Sequence, residues 1–402
     1  MKRFQPTIAY SEVFWMYWCV YCVVSSFASV YLLGNGYSNT EIGILLAFGN
    51  VVSVLVQPVA ANIADRSKRI TVLDILMVMT VLIGLFEIST WLIHGKSMIL
   101  FVTYIFMVAF HASMQPLLNS IGASFGNLGV HADYGISRGM GSLGYSIMSA
   151  GLGIIVGTMG ARVLPVAGEI GLVLMFLGLL ALKRMYRKPQ AYQNEAIQAE
   201  LVSEKKDITM AEFARRHKLF LLITVGIFFL FYHHQIINYF MLQVFQNVGG
   251  DSYDMGIYYA LMSFLEMPAL MGFSWLNKKF STNFLLKLGV VGLVLRGLLM
   301  YLASSPMGVQ LSLVVNPFGF PLFLAAIVKY INEIMDEGEA VRGQSMYIMI
   351  ITVSAVIASF TGGVILDHLG AKSMLLICLV LCIVGAAVVL PLIDKAAKES
   401  RE

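Results

Sequence analysis

Charge is scarce in this sequence: 27 Lys+Arg and 23 Asp+Glu in 402 residues, 12% of the chain, about half the ~25% usual in soluble domains. A water-soluble globule of this length needs a polar shell, and so few charges cannot supply one. Cysteine is nearly absent, with four residues, which excludes a disulfide scaffold. No Gly-X-Y period runs through the chain, which excludes collagen, and 58% hydrophobic residues exclude disorder. The net charge of +4 is too small to suggest a nucleic-acid partner. Met1-Lys2-Arg3 is followed by no short apolar stretch with a small-residue cleavage site, so the first apolar run reads as a span and not as a cleaved signal.

Long apolar runs are what the chain does have. A membrane-spanning helix needs roughly 20 apolar residues, and twelve such runs are read at about 11–33, 41–64, 71–93, 98–124, 134–158, 163–184, 218–243, 254–277, 284–303, 309–331, 344–366 and 373–393. They must be helical, because lipid offers the backbone no partners outside a helix or a closed barrel, and they are far longer than barrel strands. The longest hydrophilic stretch, Lys183 to Lys218, falls between spans six and seven. The expected organisation is an N-terminal six-helix bundle at 1–184, a cytoplasmic linker at 185–217 and a C-terminal bundle at 218–402. Thr209 to Lys218 is expected to form a short amphipathic helix lying in the membrane interface. Cys19-x-x-Cys22 is half a metal or redox motif inside a span, and with Cys378 and Cys382 it reads as ordinary buried thiols.

Positive charge orients the chain. With the N-terminus inside, only Lys96, Arg162 and Lys372 fall outside, and Arg138, Arg296 and Lys329 fall in or at the end of spans; all other Lys and Arg lie on the cytoplasmic side. This bias predicts both termini in the cytoplasm, in the cell (inner) membrane, with the lipid bilayer as the surrounding partner.

Three motifs refine the picture. After span two the chain reads Ala61-Asn-Ile-Ala-Asp65-Arg66-Ser-Lys68-Arg69; span five opens Tyr134-Gly135-Ile-Ser-Arg138-Gly-Met-Gly141-Ser142-Leu-Gly144-Tyr145; span ten contains Phe320-Pro321 and, further on, Lys329-Tyr330-Ile331. The first resembles the G-x-x-x-D-R-x-G-R-R signature of the major facilitator superfamily, with Ala61 and Lys68 in place of its glycines. The other two resemble the F-G-x-x-R-x-x-G-x-x-G-W and V-P-F-L-x-x-x-x-x-K-Y-I stretches of its lactose-permease branch, the oligosaccharide:proton symporters. The resemblance implies an all-α integral membrane protein of twelve transmembrane helices, built as two pseudo-symmetric six-helix bundles. It also implies a cytoplasmic gate motif carried by Asp65, Arg66 and Arg69.

Charges at bilayer depth cost roughly 2.5–3.5 kcal/mol each on insertion scales and so call for a reason. The resemblance implies that Arg138 binds substrate, a role that suits the guanidinium fork; the alternative is a snorkelling arginine at the helix end. Glu266 in span eight and Arg296 in span nine are expected to form an intramembrane ion pair, either coupling protonation to transport or serving as a fixed structural bridge. Glu266 sits about one turn away from the family's acidic position. Asn119, three residues after Pro116, replaces the permease's sugar-binding glutamate, and Asn316 and Gly319 stand where its proton-handling His and Glu would be. Protons would then need another carboxylate, Glu266 first and Glu87 of span three second. His233, His234, Gln235 and Asn238 form a polar run in span seven, with His233, Gln235 and Asn238 as candidate substrate contacts. Adjacent histidines diverge by about 100° on a helix, so no metal site is expected. His111 on span four either lines a cavity or makes a satisfied helix contact.

The expected function is secondary active import of a small polar solute, a sugar or oligosaccharide, by alternating access with proton symport. No cofactor beyond an ion gradient is expected, and the protein is expected to be a monomer. The alternatives are export of amphipathic or lipid-linked compounds, and uptake of a nucleoside or aromatic acid. No H-E-x-x-H, G-x-S-x-G or P-loop pattern occurs, which argues against a membrane-embedded enzyme.

Overall fold

The computed structural model describes residues 5–67, 70–126, 132–186 and 210–399. Among them every regular element is helical. Among the described residues ten helices are long and apolar enough to cross a membrane, the last of them covering Glu339–Glu399. The chain divides into two compact units, Met1–Glu204 and Lys205–Glu402.

In the first unit α1 (Gln5–Tyr21) runs through a π-turn (Cys22–Ser26) into α2 (Ala28–Gly34) and is followed by α3 (Asn39–Arg66), α4 (Val72–Leu92), α5 (Met98–Gly126), α6 (Tyr134–Met159) and α7 (Val163–Tyr186). Helix α1 packs between α6 and α7, and α4 packs between α5 and α7. The π-turn is tied to α6, where Ser26 and Tyr145 share a hydrogen bond of 2.8 Å and Cys22 Sγ lies 3.2 Å from Ser149 Oγ. Cys19 and Cys22 are free and buried, as are Cys378 and Cys382.

In the second unit α8 (Met210–Arg216), α9 (Lys218–Tyr239), α10 (Met241–Asn247), α11 (Ser252–Lys279) and α12 (Thr282–Leu302) precede α13 (Pro306–Leu311), a 3-10 stretch (Ser312–Phe318), α14 (Phe320–Ile334) and α15 (Glu337–Glu399). Helix α15 turns at Gly370, whose φ of 79° is left-handed backbone that favours glycine. Helix α9 packs on α15, and α12 on α14 and α15. The short amphipathic helix is present as α8. Its Phe213 is fully buried in the core of this unit, and Arg216 and His217 reach Glu339 at 3.3 and 2.8 Å. Protein therefore takes up the apolar contact of Phe213 that was expected to go to the membrane interface.

Span ten departs from a single helix. Pro317 lacks the N–H a continuing helix would use, and Gly319 leaves helical geometry at φ −103°, ψ −114°. The break is seated on α12, where side chains would have blocked it. A Cβ on Gly292 would lie 2.3 Å from the Phe318 carbonyl oxygen, and one on Gly289 would lie 2.8 Å from the Phe323 backbone. Irregular backbone at membrane depth persists only where protein or an enclosed cavity covers it, and here it is the element that carries Asn316.

The two units repeat each other's punctuation. Pro58 in α3 and Pro268 in α11, the full extents of α4 and α12, and the left-handed Gly160 and Gly370 fall at one constant spacing along the chain. Both helices of the α4/α12 pair are 21 residues long and open on a hydroxyl cap, Thr71 in one case and Ser281 in the other, each accepting from a backbone N–H of the first turn.

Candidate functional site

Arg138 lies in the second turn of α6, a helix capped by Asp133, whose side chain accepts from the Ile136 N–H at 2.9 Å. The guanidinium carbon sits 4.4 Å from the centre of the Trp18 ring, and Nη1 donates to Ser142 Oγ at 3.1 Å. Glycine makes this arrangement possible. A Cβ at residue 141 would lie 2.5 Å from Trp18 Cδ1, and one at residue 144 would lie 2.8 Å from the Trp15 ring. The glycines of span five thus seat two indoles of α1 directly on α6. A cation over an indole is worth about 0.5–2 kcal/mol, depending on how far it is desolvated, and the planar fork of the half-buried Arg138 suits hydroxyl pairs or carboxylates. Trp18 Nε1 is buried without a hydrogen-bond partner.

Aromatic rings surround this pair. Tyr17 and Tyr21 contact Trp18 edge-on at 5.6 and 5.1 Å, and Tyr145 does so at 6.1 Å. His111 is almost fully buried; it stacks on Tyr17 at 4.4 Å and its Nε2 bonds the Tyr17 carbonyl oxygen at 3.2 Å. The His111 ring therefore ties α5 to α1, the satisfied-contact alternative of the two considered for it. Asn119 is exposed on α5, and no described hydrogen bond joins it to Arg138.

The second unit has its own polar centre. Arg296 on α12 is 2% exposed. Its Nε and Nη2 donate to Tyr258 Oη at 3.1 and 2.6 Å, Nη1 donates to Asn316 Oδ1 at 3.0 Å, and Nη2 also approaches Met262 Sδ at 3.5 Å. Asn316 Nδ2 in turn donates to Glu266 Oε1 at 3.5 Å. Tyr258, Met262 and Glu266 share one face of α11 through their four-residue spacing. The direct Glu266–Arg296 ion pair expected from the sequence is replaced by a relay, Arg296 to Asn316 to Glu266. The broken backbone of span ten is the reason, since it inserts the Asn316 amide between the two charges. A buried guanidinium needs hydrogen-bond partners, and this cluster gives one to each of its three nitrogens.

The polar run of span seven divides between helices. His233 is buried against α12, where a Cβ on Gly297 would lie 2.5 Å from its Cε1. His234 stacks on Phe320 at 3.9 Å and shares a 2.9 Å hydrogen bond with Asn238, and the Asn238 carbonyl oxygen accepts from Tyr259 Oη at 2.7 Å. Gln235 is half-buried on the same helix. Among the described residues no group of three His, Cys, Asp or Glu is placed to hold a metal ion.

Glu87 lies on α4, 2% exposed, and its Oε2 has no hydrogen-bond partner. Two further acids share that condition and went unremarked in the sequence reading: Glu12 on α1 and Glu169 on α7 each bury an unpartnered Oε2. Both stand within apolar runs, and the scarcity argument that singled out Glu87 applies to them equally. Of the gate motif, Arg66 is exposed at the end of α3, whereas the Asp65 side chain and Arg69 lie outside the described residues. Two ion pairs, also unread in the sequence, close helix ends: Lys183 with Asp74 between α7 and α4, and Lys287 with Asp394 between α12 and α15.

Residues 7–377 match the MFS_1 like family. Among curated proteins none matches the chain. Solved structures share the fold at low identity. A point mutant of the nucleoside transporter NupG superimposes with a TM-score of 0.78 at 13% identity, covering 96% of this chain and 99% of that one. A bacterial homolog of the human lysosomal transporter Spinster, inward-facing and unoccupied, gives 0.69 at 14% identity, with 99% of each chain covered. A mutant of the peptide transporter POT gives 0.71 at 13% identity, covering 99% of this chain and 95% of that one.

Proposed function

The chain belongs to the MFS_1 like family, within the major facilitator superfamily of multi-pass membrane transporters, and on that premise we propose that it imports a small polar solute, a sugar or oligosaccharide, by alternating access with proton symport. The family consists of transporters and not of enzymes. In this reading twelve spans are counted by adding α11 to the ten apolar helices and dividing α15 at Gly370. The protein acts as a monomer in the cell (inner) membrane with both termini cytoplasmic.

The observation that carries the reading is Arg138, stacked on Trp18 beside a buried, unpartnered indole N–H. A planar guanidinium over an aromatic surface suits a ring that presents several hydroxyls. Glu266, reached from Arg296 through Asn316, is the first coupling carboxylate and Glu87 the second. Asn119, His233, Gln235, Asn238 and Asn316 are kept as candidate substrate contacts; His111, enclosed between helices, acts by positioning Tyr17. Asp65, Arg66 and Arg69 are proposed to form the cytoplasmic gate.

A second reading, uptake of a nucleoside or aromatic acid, is favoured by the rings around Trp18, which suit a planar base. Proteoliposomes offered sugars, nucleosides and aromatic acids in turn, with external pH recorded, separate the two. Alkalinisation driven by a sugar supports the first reading, and a response to nucleosides alone moves the assignment to the second. Solute flux without proton movement removes symport from either.

A further inference from the structure

The N-terminal unit contains a reciprocal arrangement of acids and glycines between α4 and α7. A Cβ on Gly168 of α7 would lie 2.4 Å from Glu87 Oε1, and one on Gly84 of α4 would lie 3.4 Å from Glu169 Oε2. Gly84 and Glu87 lie three residues apart on one helix face, and Gly168 and Glu169 are adjacent on the other helix. Each carboxyl therefore rests in the space left by a glycine of the opposite helix, next to the other carboxyl. Both Oε2 atoms are buried without a partner, and no ion pair reaches either residue among those described.

The groups facing Glu87 account for this. Tyr31 of α2 and Tyr104 of α5 come within electrostatic range of it, but their hydroxyls donate elsewhere, Tyr31 to the Thr90 carbonyl oxygen at 2.5 Å and Tyr104 to the Val24 carbonyl oxygen at 3.0 Å. The π-turn presents Val23 at this contact, and α7 presents Glu169 itself. A buried carboxylate with neither cation nor donor, beside a second carboxylate, holds a proton in preference to two charges.

We propose that Glu87 and Glu169 form a proton-binding carboxyl pair between α4 and α7. Binding one proton converts two carboxylates into one acid and one carboxylate. The enclosed Glu87 takes the proton, and the half-buried Glu169 keeps the charge. Glu12, on α1, faces α7 at a separate place: a Cβ on Gly178 would lie 1.6 Å from its Oε2, while Val20 packs against Gly171 between the two sites and Val23 against Gly168. Ten residues of helix, roughly 15 Å, and apolar packing keep Glu12 apart from the pair. The inference deepens the proton-symport reading, on which its consequence for transport rests; proton binding itself does not depend on that reading.

Infrared difference spectra of the full-length protein in lipid nanodiscs, recorded through a pH titration without solute, test the pair. The acid C=O band is expected in the wild type and absent in Glu87→Gln. In Glu169→Gln, freed of the like charge, the Glu87 acid should lose its proton earlier in the acid-to-base titration, its band vanishing already at about tenfold higher proton concentration than in the wild type, the scale of one neighbouring charge. Glu12→Gln should leave the Glu87 band unmoved. If Glu87→Gln fails to fold, carbodiimide labelling of wild-type Glu87, read by mass spectrometry and falling as pH rises, replaces it. A spectrum insensitive to Glu87→Gln, a Glu169→Gln titration unchanged from wild type, or displacement of the band by sodium at fixed pH would overturn the proposal. A confirmed pair in a protein whose solute flux moves no protons would overturn symport alone.

Discussion

Helices α4 and α12 are the same helix made twice, equal in length and a constant spacing apart along the chain, yet they bury ionisable groups of opposite sign at neighbouring positions along the helix. Glu87 and Arg296 are each 2% exposed. Every nitrogen of the arginine has a partner among Tyr258, Asn316 and Met262, whereas one oxygen of the glutamate has none. The contrast extends to the helix ends, where α4 supplies the acid and α7 the base in one unit, and α12 the base and α15 the acid in the other. Duplicated architecture thus leaves the sign of the charge free. What decides whether a buried ion serves as a fixed tie or as an exchangeable one is whether its neighbours satisfy it.

The largest effect is expected from breaking the satisfied side. Arg296→Ala strands Asn316 and the Tyr258 hydroxyl and should cost about 3–5 kcal/mol, read as a lowered thermal unfolding temperature in detergent. Glu87→Gln, which removes an unpartnered charge site, should leave that temperature level or raise it. Next comes Gly141→Ala, whose Cβ would meet Trp18 at 2.5 Å. A loss of about 1–3 kcal/mol is expected from overpacking, together with loss of uptake, while Gly139→Ala, with nothing within 4 Å, should leave both unchanged.

Arg138→Lys is expected to cost about 2 kcal/mol of solute affinity, roughly thirtyfold, because an ammonium cannot reproduce a flat charged fork. Isothermal binding would read this, with expression and unfolding temperature unaltered; unchanged affinity would make Arg138 a structural residue. The smallest effect belongs to the helix ends. Exchanging Asp74 and Lys183 gives the first unit the polarity of the second. Each single change should cost no more than about 1 kcal/mol, and the double exchange should recover most of it, as a double-mutant cycle would record.

The spans and the outlying charges were legible because apolar runs and isolated ions stand out at any register. Arg138, Arg296, Glu266 and Glu87 could be picked out by scarcity alone, and Gly141 and Gly144 by their motif. What lay across from each was not legible, since only packing brings Trp18 to Gly141 or Glu87 to Gly168. Asn316 illustrates the limit. Read along the chain it was a titratable position lost, and in the fold it is the bridge between two charges. The signals for its broken helix, Pro317, Gly319 and Pro321, were present but were absorbed into one long apolar run. Glu12 and Glu169 were legible by the same scarcity, since each stands about two turns inside its helix; what the chain does not show is that each buries an oxygen against a glycine of a neighbouring helix.

The π-turn at Cys22–Ser26 has a consequence for insertions and deletions. A π-turn is one residue of excess winding within an α-helix, so the first span carries a built-in insertion. Deleting a single residue from it would restore regular α-helix and rotate everything on one side by about 100° relative to the other. With α2 held by Tyr31 to α4, Trp15 and Trp18 would turn away from their glycines on α6. Chain length within those five residues, quite apart from their identity, is therefore part of what aims the indole at Arg138.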